Sequence, residues 1–230
     1  MASFTTTAPV NGPGISLSEG GRPDYRTRLR RARLGLFVAA TPIFMLFISF
    51  TSAYIVRQGL PTFDPRTNSL VRDWIPVRLP SILLLNTCVL LLSSVGMELA
   101  RRQTKKEAAV ASAAANPAVS PTEAPGLPWL SMTLVLGLLF LFGQWTAWRQ
   151  LAANGLRVAT TPSSSFIYLL TGAHAIHLIG GVIALFVACV ASLLHRPVTT
   201  RSIVVDITAW YWHFMAVLWV YILCLLKFTS

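Results

Sequence analysis

Charged side chains are scarce in this chain of 230 residues: Asp, Glu, Lys and Arg make up 12% of it, about half the share of an ordinary soluble domain. Acidic groups are scarcest, with eight Asp and Glu against 19 Lys and Arg. Apolar residues fill 54%, so the composition supports an integral membrane protein and not a soluble globule. The net charge of +11 sits in short segments between apolar runs. It forms no basic stripe along a helix or strand face, which argues against a nucleic-acid partner. Cysteine is nearly absent. Cys88, Cys189 and Cys224 lie in apolar runs without C-x-x-C spacing, which excludes a disulfide framework or zinc site and leaves free thiols. No small-residue cleavage pattern follows the first apolar run, so that run is expected to stay in the mature protein.

What is present is a set of long apolar runs. Five are long enough for a hydrocarbon core of roughly 30 Å, which takes about 20 helical residues: approximately Leu34–Val56, Leu79–Met97, Pro128–Trp148, Ser164–Leu194 and Ile203–Leu226. Their apolar character is too continuous for period-2 barrel strands, so each is expected to be a helix. Pro42, about two turns into the first, should kink it. With the N-terminus inside, twelve of the Lys and Arg residues fall on the inner side and seven on the outer, which predicts N-inside, C-outside. The expected fold class is therefore an all-α membrane protein of five transmembrane helices. Residues 1–33 form a polar basic cytoplasmic tail, 34–97 carry helices one and two, and 128–230 carry helices three to five. Residues 98–127, rich in Ala, Pro, Ser and charge, read as a cytoplasmic linker, with a short frayed helical extension into Lys105 before a mobile loop.

All but one of the four histidines fall in the last two runs. His174 and His177 share one face of the fourth helix, and His213 lies about ten residues into the fifth, so rise per residue places all three near mid-membrane. Facing histidines at one depth permit a b-type haem or a copper ion. Without a Met or Cys cluster or a second histidine pair, interhelical hydrogen bonding is the preferred reading. Gly172, Gly180 and Gly181 lie near the His177 face and suit close helix packing. Trp210 and Trp212 stand too deep for an interfacial belt, and their indole N–H groups need acceptors, for which the histidines are candidates. Asp206, about one turn inside the fifth helix, is expected to favour the helix N-terminus and to pair with Arg201. Arg33, Arg101 and Arg196 lie at inner helix ends, where guanidinium groups can hold lipid phosphates. Apart from these groups, no Asp, Glu, Lys or Arg enters the apolar spans of helices one, three and four, and helix two has none before Glu98. By itself such a chain has no evident proton pathway or redox chemistry.

The segments "TGAHAIHLIGG" (171–181) and "AWYWHFMAVLW" (209–219) resemble the end of subunit III of haem–copper terminal oxidases. The resemblance extends from about Arg33 to Phe228, through "RLGLFVAATPIFMLFISFTSAYIV", "LPSILLLNTCVLLLSS" and "GQWTAWRQL". Long members of that family have seven helices, and this chain resembles the five-helix branch that lacks the first two. The resemblance implies a bundle packed on oxidase subunit I and other oxidase subunits in a bacterial inner membrane, with bound phospholipids. No cofactor is implied on this chain, and the haem and copper are expected on partner subunits. Three family carboxylates are replaced, by Thr41, Ala147 and Ala216, while Asp206 keeps an acid where the family has Glu. That pattern implies a non-catalytic scaffold that orders lipid and supports turnover and proton uptake. His174, His177, Trp212, His213, Asp206, Gly180 and Gly181 form its expected packing network. The accessory five-helix protein of nitric oxide reductases is an alternative within the resemblance. A haem-carrying membrane anchor using His174 or His177 with His213 is one outside it.

Overall fold

The computed structural model describes residues 25–64, 68–71, 74, 80–113, 126–158, 161–194 and 197–228. Five helices account for nearly all of them: α1 (Tyr25–Gly59), α2 (Ile82–Ala113), α3 (Leu127–Ala153), α4 (Pro162–Leu193) and α5 (Val198–Phe228). Each is long and apolar enough to cross a membrane. In hydrocarbon the helix is favoured because it satisfies every interior backbone N–H and C=O within one segment. Local signals fix the ends. At α4, Thr161 and Ser164 form a capping box, each side chain accepting from the other's backbone N–H, and Pro162 occupies the first turn, where its missing N–H costs nothing.

The helices extend past the apolar runs. α1 begins at Tyr25, nine residues before the expected Leu34, so Arg26 to Arg33 are helical and Pro42 lies near its middle. α2 does not fray at Lys105 but continues to Ala113. The expected linker is helical for its first half because Ala100, Thr104 and Glu107 are buried. Between α1 and α2 the sequence reading missed a small antiparallel hairpin, β1 (Thr62–Asp64) with β2 (Ser69–Val71), in which Phe63 faces Leu70.

Helices α2, α3, α4 and α5 each pack against the next, and α5 packs back on α2, closing a ring of four. α1 lies outside it, against α4 and α5. Of its 35 residues only Phe47, Thr51 and Tyr54 are buried, and Leu34, Phe37, Val38, Phe44, Met45 and Ile48 are exposed. A helix apolar all round and covered on one side alone meets lipid or another protein on the rest. The core of the ring is aromatic: Trp212, Trp219 and Phe140 are fully buried, with Phe140 and Trp219 edge to face at 5.0 Å.

Candidate functional site

Two layers of polar side chains run through the bundle. The first, where α1 and α5 begin and α2 ends, centres on Asp206. Its carboxylate is fully buried and accepts from Arg33 Nε at 2.8 Å, Lys105 Nζ at 2.9 Å and Arg101 Nε at 3.0 Å. Three cations from two helices thus converge on one acid of a third. Arg101 also donates through Nη1 to Glu98 at 2.9 Å, and Arg102 donates to the other Glu98 oxygen at 2.9 Å. The Arg101 guanidinium lies 5.4 Å from the centre of the Trp210 ring, within cation–π range. Residues 98, 101 and 105 are one and two turns apart on a single face of α2.

Asp206 does not pair with Arg201. With α5 beginning at Val198, Asp206 stands two turns in, while Arg201 faces the extension of α2 and binds Glu107, both side chains buried. The sequence reading missed this pair, since Glu107 was placed in a mobile linker. Tyr25 hydroxyl and Ser202 Oγ hydrogen-bond at 3.0 Å, a second tie from α1 to α5.

The second layer surrounds the tryptophans, and its acceptors are hydroxyls, not histidines. Trp212 Nε1 donates to Ser93 Oγ at 3.1 Å, and Ser93 donates on to the Thr133 carbonyl at 3.3 Å, which links α5, α2 and α3. Trp219 Nε1 donates to Thr87 Oγ1 at 2.9 Å. The Trp212 ring packs against two glycines. A Cβ at Gly181 would stand 3.2 Å from it, and one at Gly137 only 2.7 Å, closer than side chains approach. A Cβ at Gly180 would meet only the Tyr211 hydroxyl, at 3.8 Å, and one at Gly172 would meet nothing within 4 Å, so of the three glycines of α4 Gly181 has the tightest surroundings. Gly137 was missed, because no small-residue pattern in α3 marks it.

The three histidines diverge. His213 Nδ1 hydrogen-bonds Ser94 Oγ at 2.6 Å, and its Nε2 lies 3.5 Å from Glu98, so it faces α2 at the charged end. His177 Nδ1 hydrogen-bonds the Ala173 carbonyl at 2.7 Å, with its ring 6.0 Å from Phe47 of α1. His174 is fully buried, with Trp219 at 5.1 Å and Phe140 at 6.2 Å between ring centres. Among the described residues, no three His, Cys, Asp or Glu side chains are grouped so as to hold a metal ion. Trp210 is 41% exposed and packs on Phe37. Ala147 and Ala216 are buried and Thr41 is exposed, its hydroxyl returned to the Phe37 carbonyl. Arg196 lies outside the described residues.

An open, almost wholly apolar groove of about 440 Å³ runs between α1 and α5, lined by Phe37, Thr41, Phe44, Trp210, His213 and Phe214 among others. Beside it, sharing Phe37, lies a second groove of about 230 Å³ bordered by Arg26, Arg30 and Arg33.

These features define a class: a multi-pass helical membrane protein whose polar side chains serve to tie helices together. The family is more definite. The chain belongs to the cytochrome c oxidase subunit III family, whose family model matches residues 29–230. Among similar proteins, the probable cytochrome c oxidase subunit 3 of Mycobacterium tuberculosis is 28% identical over 100 residues, 44% of this chain and 49% of that one. The cytochrome c oxidase subunit 3 of Corynebacterium diphtheriae is 28% identical over 92 residues, 40% and 45% of the two. That of Heterololigo bleekeri is 24% identical over 192 residues, 81% of this chain and 66% of the other. The chain spans about half the length of the bacterial relatives it matches.

Proposed function

We propose that this chain is the non-catalytic third subunit of a respiratory haem–copper oxygen reductase in a bacterial inner membrane, packed chiefly on the subunit that holds haem and copper. The observation that carries this reading is the family match over residues 29–230. The chemistry of the interior supports the non-catalytic part. Its acids at the charged end are each neutralised by Arg or Lys, and its tryptophans are satisfied by hydroxyls. Divergence of His174, His177 and His213 counts against the haem anchor, which needs two rings on opposite faces of one iron. The exposed apolar face of α1 supports a protein or lipid neighbour on that side.

In this reading the end carrying Asp206 faces the cytoplasm, so the chain runs N-inside, C-outside. Arg33, exposed over about a third of its side chain, has guanidinium nitrogens beyond Nε to offer a lipid phosphate, with Arg26 and Arg30 beside it. Arg101 and Arg196 are assigned the same role. His174, His177, Trp212, His213, Asp206, Gly180 and Gly181 serve packing, and proton uptake is supported through the partner, not along this chain.

The test is gentle affinity purification of the chain from its native membrane, followed by an absorption spectrum and mass spectrometry. Haem spectra with a co-purifying catalytic subunit are expected, and that subunit's identity separates oxygen from nitric oxide reduction. A chain recovered alone and colourless refutes the proposal, and one recovered alone with a haem spectrum restores the anchor.

A further inference from the structure

Buried side-chain atoms without a hydrogen-bond partner among the described residues lie on Glu107 and Arg201 at the charged end, on Ser163 and Ser192 near the ends of α4, and on Gln144 and His174 inside the bundle. Neither ring nitrogen of His174 has a hydrogen-bond partner among the described residues, and Gln144 Oε1 on α3 has none either. Both side chains are buried, His174 fully and Gln144 to 2% exposure. A neutral imidazole carries one donor and one acceptor, and leaving both unpaired in a dry interior costs their whole desolvation.

These groups lie at one level. The Phe140 ring meets His174, and Trp148 Nε1 donates to Thr171 Oγ1 at 3.1 Å. Gln144 is one turn from Phe140 and one from Trp148 on the same face of α3, which sets it between Thr171 and His174 of α4. A small cavity is bordered there by Gln144, Thr171, Trp148 and Trp219; His174 stands outside that lining, its ring tilted against Trp219 at 5.1 Å between centres. The Thr171 hydroxyl already donates to the Ile167 carbonyl at 2.6 Å, so it has acceptor capacity alone. The cavity measures about 10 Å³, room for about one water-sized molecule.

We propose that Gln144, Thr171 and His174 bind a single internal water molecule where α3, α4 and α5 meet. The water donates to Gln144 Oε1 and takes part in one hydrogen bond with the His174 ring, within reach of the second Thr171 lone pair. Three polar partners are what a buried water ordinarily has, and a bridging water satisfies such groups nearly as well as direct contact. The site takes a small neutral hydrogen-bonding molecule. An ion is excluded by the apolar walls, and a larger ligand by the volume.

The test is solid-state NMR on the full chain, purified with its accompanying subunits and returned to a lipid bilayer. Ala173–His174 is the one Ala–His step in this sequence, so carbonyl-13C alanine with uniformly 13C,15N-labelled histidine marks the His174 amide, from which the labelled side-chain carbons lead to its ring nitrogens. A His174→Gln difference spectrum removes the Ala–His steps of the accompanying subunits. Magnetisation transfer from water to a His174 ring nitrogen is expected, and a several-fold loss of it in Gln144→Leu. Ring nitrogens at unbonded shifts with no transfer mean a dry site and overturn the proposal. A hydrogen-bonded shift without transfer means that Gln144 and His174 meet directly, which overturns it as well. If Gln144→Leu does not assemble, the wild-type measurement decides alone.

Discussion

Replacing Asp206 with alanine removes one acid and leaves three cations facing one another at the end of the bundle. Breaking a buried ion pair from one side costs about 3–5 kcal/mol, because the remaining charge is uncompensated. Here the geometry pulls the figure to the low end. Arg33 and Lys105 are 35% and 37% exposed at their side chains, so both can turn outward toward headgroups. Arg101 keeps Glu98. We expect a loss of about 3 kcal/mol for Asp206→Ala, and about half of that for Asp206→Asn, whose amide oxygen still accepts hydrogen bonds. Removing one cation leaves the acid with two, so Arg33→Ala or Lys105→Ala should cost about 1 kcal/mol. Equilibrium unfolding by SDS in mixed micelles, followed by tryptophan fluorescence, gives these values. Because Arg33 is one of the ties holding the start of α1, tryptic cleavage at Arg26 to Arg31 should rise in parallel. An Asp206→Ala loss no larger than that of Arg33→Ala refutes the view that one acid organises the three cations.

Three further outcomes follow from the packing. Gly137→Leu drives a side chain into the Trp212 ring, where even a Cβ would be 2.7 Å away, and should cost about 3 kcal/mol or prevent assembly; the same SDS titration reads it. A Cβ at Gly143 would collide with the Asn86 side chain, so Gly143→Ala should break the Asn86 Nδ2 donation to the Phe140 carbonyl, seen as faster hydrogen exchange in α3. Arg201→Ala strands the buried Glu107 and should cost about 3 kcal/mol. The double variant Arg201→Ala, Glu107→Ala should recover part of that loss, and strict additivity in the double-mutant cycle would contradict the pairing.

The five helices were legible from apolar runs alone, because the bilayer demands about 20 apolar residues per crossing and forbids an unpaired backbone. Family membership was legible in residues 171–181 and 209–219, later matched over most of the chain. Helix ends were less so. The arginines before Leu34 and the Ala-rich stretch after Met97 read as tail and linker, although both are good helix formers. Burial of Ala100, Thr104 and Glu107 carries α2 onward, and the contacts of Tyr25 with Ser202 and of Arg33 with Asp206 on α5 hold the start of α1. Partners were hardest to see. Asp206 and Arg201 looked paired by their spacing, yet five residues along a helix put them on different faces, and each met a residue about a hundred or more positions away.

The sequence alone therefore determined what must be solved locally: which segments span, that they are helical, and which few polar groups lie inside them. Only the tertiary structure decided which of those groups meet, because that depends on helix rotation and depth. One residue of slip along a helix turns a side chain by about 100°. Such rotation separated His213 from His174, gave the tryptophans to Ser93 and Thr87, and brought three cations from α1 and α2 onto Asp206.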